Sequence, residues 1–250
     1  MIKIIFIFLL FSNFLYANEK NQIEITTDEG IEVFQKEKYY ILKKNVKIKS
    51  NNFNLDADLV KAYFNEDLYD IQKIESNGNV KFNSINGIIA EGENLTLIII
   101  NEDISISGKN SILIINDLEM KSDGSIKVNN LSGEFILKGN NSELKSPEIN
   151  ILANDIDGFY VEFEKQKDIV KLNVKDKEIA NIITENTNMF SKKAIYSKEK
   201  NIIELFEDVK IIRNNETIVG DYAKINTLNE SYKIRSESSK KVKILIDNDE

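Results

Sequence analysis

The chain has 250 residues, a formal net charge of −8, and neither cysteine nor histidine. Without these two residue types it cannot form disulfides, Cys nucleophiles, His general bases or Ser-His-Asp triads, and nearly all zinc, copper and haem sites are excluded. The acidic balance argues against non-specific nucleic-acid binding, because that needs a dense cationic surface.

The first segment has the features of a secretory signal peptide. Lys3 supplies a positive charge, and an apolar run follows from Ile4 to Leu15. The run is too short for a transmembrane helix, which needs about 20 residues. Ala17 suits a cleavage site and is followed by polar residues. We therefore predict a cleavable signal peptide over 1–17, export to the periplasm, and a single domain over 18–250.

The rest of the chain has the pattern of β structure. Apolar and polar residues alternate, as in Val46-Lys47-Ile48 and in Val170-Lys171-Leu172, and this period of two is typical of half-buried strands. The segment from Leu59 to Ile74 has mixed spacings and fits either a helix or two strands. Asn tolerates left-handed backbone, so it can replace Gly and Pro in turns. We predict strands of about five to seven residues, separated by Asn-rich turns at 50–52, 77–79, 129–130, 139–141 and 214–215.

An internal repeat organises this pattern. Residues 45–58 align without a gap with residues 208–221, and the likeness extends to copies of about 27–82 and 191–246. A third, looser copy begins at Asn79. Each copy pairs an alternating strand, an Asn-rich turn, a second strand, and a small residue before an acid. Such a unit exposes an apolar face that stacking neighbours bury. Residues 83–190 continue the pattern without a linker, so we predict that they add further rungs to one slab.

The repeated units resemble the LptA/OstA-type periplasmic lipopolysaccharide-transport proteins. The segment Ile23-Glu-Ile25-Thr-Thr-Asp28 resembles the opening motif of that family. Asn45-Val-Lys-Ile48, followed by Ala57-Asp58, resembles its G-N-V … A-D unit, with Lys44 where Gly is usual. Residues 207–222 resemble a second such unit. The resemblance covers about half of the mature chain, and of the family's A, C and D components it fits the A component best.

The resemblance implies an all-β fold, an open β-jelly roll shaped like a folded taco, here extended by extra rungs. It implies a non-enzymatic periplasmic carrier that shields the acyl chains of lipopolysaccharide in an apolar groove and needs no cofactor or metal. The expected partners are lipopolysaccharide, an inner-membrane LptC-like component, an outer-membrane LptD-like component, and further copies of the chain joined head to tail. Nucleic acid is not an expected partner.

The lipid path and a partner edge follow from the resemblance and from alternation. The resemblance places Ile23, Ile25 and Phe82 on the lipid path. Alternation adds Val46, Ile48, Leu55, Val80, Val209 and Ile211 as lining residues. The final segment is strongly β-prone, and Val242, Ile244 and Ile246 are expected to form an edge that pairs with a partner.

Two other classes of protein stay open from the sequence. A cargo-free, adhesin-like β-solenoid would use the same alternating residues as ordinary core. A periplasmic β-helical polysaccharide-processing enzyme would need a cluster of Asp residues or an Arg and calcium pair on one face. Arg213 and Arg235 are the only two arginines in the sequence, and both fall in the last repeat copy, so this class is the less favoured one.

Overall fold

The computed structural model describes residues 23–236 and 241–246, apart from residues 67, 69 and 165. The predicted signal peptide over 1–17 lies outside the described residues. All regular structure within them is β, which confirms the predicted fold class. None of the described segments forms a helix long and apolar enough to cross a membrane. The strands are β1 (Glu24–Thr26), β2 (Ile31–Phe34), β3 (Tyr39–Lys49), β4 (Phe53–Phe64), β5 (Ile71–Ser84), β6 (Ile88–Ile98), β7 (Asp103–Ser107), β8 (Ser111–Ile115), β9 (Leu118–Ser122), β10 (Ser125–Asn129), β11 (Glu134–Lys145), β12 (Asn150–Phe163), β13 (Gln166–Thr184), β14 (Thr187–Ser197), β15 (Ile202–Arg213), β16 (Glu216–Asn226), β17 (Tyr232–Arg235) and β18 (Lys243–Ile246).

The long strands bend near their middle, so each contributes one half to each of two facing layers. In β3, residues 46–49 pair with 54–57 of β4, while residues 39–43 pair with 59–63 of the same strand. We call the layer that contains 46–49 layer A and the layer that contains 39–43 layer B. All pairings are antiparallel, and the same division repeats from β4 to β6 and from β11 to β16.

Short strands replace the bent ones at the centre and at the two ends of the slab. In the centre, β8 and β9 belong to layer A, and β7 and β10 belong to layer B. At the first end, β1 and β2 pair with the two halves of β3. At the last end, β18 and β17 pair with the two halves of β16. The two layers therefore continue, facing each other, through the whole described chain, including residues 83–190. Together they form the slab of an open jelly roll.

The two long sides of the slab are built differently. We call the side where the strands bend the bent edge, since the chain there crosses between the layers without reversing. We call the opposite side the mouth, because there the hairpin turns of the two layers face each other. Turns of layer A at the mouth include 50–52, 85–87, 116–117, 146–149, 185–186 and 214–215. Turns of layer B at the mouth include 35–38, 99–102, 130–133, 198–201 and 227–231.

The repeated motif forms the bent edge. Lys44 and Asn45 both have positive φ, and so do Glu207 and Asp208 at the matching place of the second copy. Consecutive left-handed residues introduce a bulge that turns the strand from one layer into the other. The Asn45 side-chain amide donates to Asp28 Oδ2 at 2.5 Å. The acid of one unit thus supports the bend of the next strand, which gives the motif a structural role.

The same arrangement recurs one repeat further on. Gly78 and Asn79 have positive φ, and the Asn79 amide donates to Asp58 Oδ2 at 2.8 Å. A Cβ added at Gly78 would lie 2.3 Å from the same carboxylate oxygen. Glycine is therefore required at position 78 for two reasons, the positive φ and the close approach of the Asp58 carboxylate.

The prediction of turns at 77–79 and 139–141 was wrong, because these residues lie inside β5 and β11. Their left-handed residues bend a strand instead of reversing it. As a result β3 has 11 residues and β13 has 19, not the predicted five to seven. The turns predicted at 50–52 and 214–215 are hairpin turns at the mouth, and the one predicted at 129–130 follows Asn129. The segment from Leu59 to Ile74 contributes to two strands, β4 and β5.

The hydrophobic core lies between the two layers as one cluster that runs along the slab. Inward-facing side chains are completely buried in several strands, and in the centre Phe135, Leu137 and Leu144 expose none of their surface. Burial at about 25 cal/mol per Å² of apolar surface is the main force that holds the layers together, since the chain contains no cysteine to cross-link them.

Candidate functional site

The residues predicted to line a lipid path form one wall of the interior. Ile25 on β1 is partly buried and packs against the core, whereas Ile23, just before β1, is exposed. Each of the other predicted lining residues is buried, and all of them lie on the inward face of layer A: Val46, Ile48, Leu55, Val80, Phe82, Val209 and Ile211. The structure therefore brings these residues together along one surface.

The sequence prediction missed the opposite wall, which layer B supplies. Leu42 lies two residues before the left-handed pair at 44–45, so alternation continued backwards through the bend would have found it. The inward-facing residues of this wall include Leu42, Val60, Leu95, Leu97, Ile106, Val128, Leu137, Ile156, Val174 and Leu205. The interior is thus a slot with two apolar walls.

The mouth of the slot opens into a cavity of about 730 Å³ that extends from the start of β4 to the end of β8. Apolar side chains form its floor, among them Phe53, Phe82, Leu97, Ile104 and Ile115. The Phe53 and Phe82 rings lie with their centroids 5.6 Å apart. The rim carries polar side chains: Asn52, Asn86, Asn116 and Asn130. A cavity with an apolar floor and a polar rim suits an amphiphile whose polar part stays in water.

The two rims of the mouth differ in polarity. The turns of layer A are rich in Asn, and Ile85 is their large exposed hydrophobic residue. Turns of layer B expose apolar side chains repeatedly along the slab: Leu68, Ile99, Ile100, Leu131, Phe163 and Leu228. Recurring exposed apolar residues on one rim indicate contact with an apolar or amphipathic molecule.

Lys167 connects the two layers across the mouth. Its backbone N–H donates to Asp117 Oδ1 at 2.8 Å, so a residue of layer B is bonded to a turn of layer A. The Lys167 side chain is only 2% exposed, and its Nζ lies 2.5 Å from Glu162 Oε2. The ammonium also donates to Asn130 Oδ1 at 3.3 Å and lies 4.9 Å from the centre of the Tyr160 ring. A buried charge is tolerated when it is paired and hydrogen-bonded in this way.

Tyr160 completes this network. Its hydroxyl donates to Asn130 Oδ1 at 2.9 Å, and its ring stacks on Phe135 with centroids 6.2 Å apart. Burial raises the pKa of the Tyr160 hydroxyl, and the charges of Glu162 and Glu102 raise it further. Tyr160 is therefore a neutral donor at physiological pH.

A second contact crosses the mouth near the last strands. The Arg213 guanidinium, at the end of β15 in layer A, pairs with the Glu230 carboxylate in a turn of layer B, and it donates to the Glu230 carbonyl at 3.2 Å. Both residues line a cavity of about 510 Å³ together with Met189 and Ile203. The crossing forms part of the wall of this cavity.

Within the part of the chain that the structure describes, the slot is open at both ends of the slab. Ile31 of β2 and Ile244 of β18 pair with the inward-facing Leu42 and Ile218, yet they are 51% and 53% exposed. No described strand lies beyond them, so apolar surface and strand edges are exposed together. The predicted edge residues Val242, Ile244 and Ile246 are all exposed at the last end. Among the described residues, no group of three or more acidic side chains is placed to hold a metal ion.

Comparisons with known proteins find similar solved structures. No protein-family model matches the sequence, and no curated protein matches it. Among solved structures, the chain is similar to the crystal structure of LptH, the LptA homologous periplasmic component of the conserved lipopolysaccharide transport device from Pseudomonas aeruginosa. The two sequences are 11% identical, the match covers 91% of this chain and 96% of that chain, and the TM-score is 0.23.

Proposed function

We propose that the protein is a non-enzymatic carrier that shields the acyl chains of lipopolysaccharide between its two layers while the saccharide stays outside the mouth. The observation that carries this proposal is the slot itself, which has two apolar walls, an open mouth and two open ends. A cargo with this division into apolar chains and a polar headgroup matches the apolar floor and the polar rim of the 730 Å³ cavity.

The energetics favour such a cargo. Each methylene moved from water into an apolar environment gains about 0.8 kcal/mol, so a chain of about ten methylenes gains roughly 8 kcal/mol. Lipid A carries several acyl chains on one headgroup, and its release into water is correspondingly unfavourable. A continuous slot allows movement along the protein without that release.

The open ends support a role as one unit of a bridge. β1 and β2 at one end, and β17 and β18 at the other, each pair on one side only within the described chain. Strand addition at such edges would extend both the sheet and the slot into a neighbouring molecule. The proposed neighbours are further copies of this chain, an inner-membrane LptC-like component and an outer-membrane LptD-like component, with the whole assembly in the periplasm.

Photo-crosslinking with lipopolysaccharide tests the cargo. A photoreactive residue at Ile25 or Phe82 should capture lipopolysaccharide, because both side chains face the slot. The matched position Lys47 lies on β3, the strand that pairs with β1, and Lys81 lies beside Phe82 on β5. Both side chains face solvent, and they should capture at least about tenfold less. Equal capture at the two sets of positions would refute a cargo in the slot.

A substitution in the last strand tests the bridge. Ile244→Pro removes one backbone donor from β18. It should weaken head-to-tail association measured by analytical ultracentrifugation and leave the circular dichroism spectrum unchanged. Unchanged association would refute pairing through this edge.

A cargo-free solenoid is the second candidate, and the complete burial of central side chains such as Phe135 and Leu137 favours it. The two candidates differ in what accompanies the native protein. Mass spectrometry of protein purified from its own envelope should find lipopolysaccharide if the protein is a carrier, and no stoichiometric lipid if it is a cargo-free solenoid.

A further inference from the structure

We propose that the tip of the β12–β13 hairpin is a clasp that divides the mouth into two compartments, and that it must open for cargo to pass from one to the other. The clasp consists of residues 161–163 and 166–169. This proposal rests on the proposed function, because it specifies how lipid moves along the slot. Lys167 is the residue that holds the clasp shut.

The hairpin tip extends beyond its neighbours in layer B. Pairing between β11 and β12 ends at Glu134 and Phe159, and pairing between β13 and β14 ends at Lys171 and Ser197. Beyond those points the two strands of the hairpin continue to pair with each other, down to Phe163 and Gln166. The tip is therefore longer than the strands on either side of it, and it reaches the mouth.

The tip closes the mouth by direct contact with the other layer. Lys167 and Asp117 are 50 residues apart in sequence, and 2.8 Å separates the Lys167 backbone nitrogen from the Asp117 carboxylate oxygen. In a lipid with its acyl chains inside the slot and its headgroup outside, covalent bonds join the two parts. As the lipid moves along the slot, these bonds must pass between the two rims of the mouth. No such link fits between two atoms at hydrogen-bond distance, so the headgroup cannot move past Asp117 while this bond is made.

Cavities lie on both sides of the closure. Lys167 and Glu162 line the 730 Å³ cavity on the side of the first strands. Lys167 also lines a smaller cavity of about 180 Å³ on the other side, together with Asp117, Phe163 and Gln166. One residue thus borders two spaces that would otherwise be continuous along the mouth.

The clasp has the properties of a segment that opens locally. It has backbone pairing on one side only, and its outward side chains are exposed, with Phe163 at 68%. Segments with few buried contacts open at a smaller free-energy cost than the strands of a core. The Lys167 ammonium opposes opening, because it would leave Asn130, which lies outside the clasp, and lose a hydrogen bond that supports its burial.

Hydrogen exchange tests the opening without any cargo. The Lys167 amide should exchange at least about 100-fold faster than the amide of Leu137 in the central strand β11, because local opening exposes the first and only global unfolding exposes the second. Equal rates for the two amides would overturn the proposal, since the clasp would then open only when the whole protein unfolds.

A reversible cross-link tests the passage of cargo. The sequence has no cysteine, so Asp117→Cys with Gln166→Cys can be joined by a short bis-maleimide that contains a disulfide. Lipopolysaccharide is supplied by a preloaded second copy, and the tested copy carries Ile244→Pro so that lipid enters at its first strands. Photoreactive residues at Phe82 and Met189 report on the two sides of the clasp.

The cross-link should leave capture at Phe82 within about twofold and reduce capture at Met189 at least about tenfold, and reductant should restore it. The control cross-link joins Lys193→Cys to Glu207→Cys, two exposed residues at the bent edge whose side chains form an ion pair at 2.6 Å, and it should change neither signal. Undiminished capture at Met189 with the clasp locked would overturn the proposal. If the unlocked protein captures no lipid at Phe82, the proposed function fails, and hydrogen exchange still decides whether the clasp opens.

Variants of Lys167 separate its positioning role from a general effect on folding. Lys167→Met should raise the ratio of capture at Met189 to capture at Phe82 at least about threefold, and Lys167→Arg should restore the original ratio. A ratio that is the same in all three proteins would show that Lys167 does not hold the clasp.

Discussion

Around the cavity between β4 and β8, hydrogen bonds at the mouth run within one layer, as in the bond from the Asn116 N–H to the Gly87 carbonyl. Further along the slab, Asp117 with Lys167 and Arg213 with Glu230 connect one layer to the other. Among the described residues, these two contacts cross the second part of the mouth, whereas the bonds named for the first part stay within one layer. The bent edge also differs between the two parts. Asn side chains bond to Asp at Asn45 and Asn79, whereas Lys192 and Lys193 form ion pairs with Asp208 and Glu207 at the bend of the second copy.

This contrast shows that one repeated architecture can have bonds between its two layers in one part of the mouth and bonds within one layer in another part. The repeat fixes the bends and the apolar walls, while the turns at the mouth are free to differ. Two features make the second part distinct, namely a hairpin that is longer than its neighbours and one of the two arginines of the chain. Movement of a cargo would be unobstructed in the first part and controlled in the second.

The largest expected effect comes from the closed centre of the slab. Phe135→Ala should lower the free energy of unfolding by about 3–5 kcal/mol, since Phe135 is completely buried and its removal leaves a closed cavity. Phe82→Ala should cost about 2 kcal/mol, because Phe82 borders an existing cavity that is open to water. Urea unfolding of both variants measures the difference. Equal losses would mean that the mouth at Phe82 is as closed as the centre.

The next effect concerns the buried charge at the clasp. Glu162→Gln should lower the free energy of unfolding by about 2 kcal/mol, because it leaves the buried Lys167 ammonium without its counter-ion. This loss in the free energy of unfolding is smaller than the about 3–5 kcal/mol typical of breaking a buried ion pair, because Glu162 is half exposed. Lys167→Met should change stability by less than about 1 kcal/mol, since methionine fills the same space without a charge. A larger loss for Lys167→Met than for Glu162→Gln would contradict this account in the same urea titrations.

A smaller effect is expected at the bent edge. Asn79→Ala should cost about 1–2 kcal/mol, because alanine is strained at φ 48° and cannot donate to Asp58. Asn79→Gly loses the same hydrogen bond but tolerates the backbone, so it should cost less. Thermal unfolding of the two variants separates the backbone contribution from the side-chain bond. A greater loss for glycine would show that strain is not the dominant cost.

The smallest expected effect is a dependence on pH at another bend. The pKa of Asp123 is lowered, first by the amide of Asn141 and then by the backbone N–H of Asn110, which donate at 2.9 and 3.1 Å. A carboxyl whose pKa is lower in the folded state stabilises the protein above its unfolded pKa of about 3.9. That stability is lost as the pH falls through the folded-state pKa. Asp123→Asn should therefore show a smaller drop in urea midpoint between pH 7 and pH 3 than the parent, and an identical drop would exclude this contribution.

Much of the local structure could be predicted from the sequence. Alternation around Val46 and Val209 identified strands and their buried faces, because the two-residue period of a strand is a local property of the backbone. The inward-facing residues of layer A were correctly placed in the interior for the same reason. The break at 50–52 was also read correctly as a turn, since Asn residues favour reversal wherever the chain must turn.

Other features could not be predicted, because one local signal has two tertiary outcomes. Asn51 and Asn79 belong to similar Asn-rich breaks, yet the first lies in a hairpin turn at the mouth and the second bends a strand at the opposite edge. A left-handed residue permits either geometry, and the pairing of the flanking segments with their neighbours decides between them. The opposite wall of the slot in layer B was missed for this reason, since it becomes visible only when each strand is followed through its bend.

The sequence by itself determined that the chain is β throughout, that its units repeat and which residues face inward, because these properties depend on alternation and on backbone preferences of single residues. The tertiary structure alone decided that the two halves of each strand face each other, and that Lys167 meets Asp117 from 50 positions away. Contacts of that kind depend on how far a hairpin extends beyond its neighbours and on which turns then face each other across the mouth. The relative lengths of hairpins and the facing of turns are established only when the layers pack. A local pattern of residues therefore does not predict these contacts.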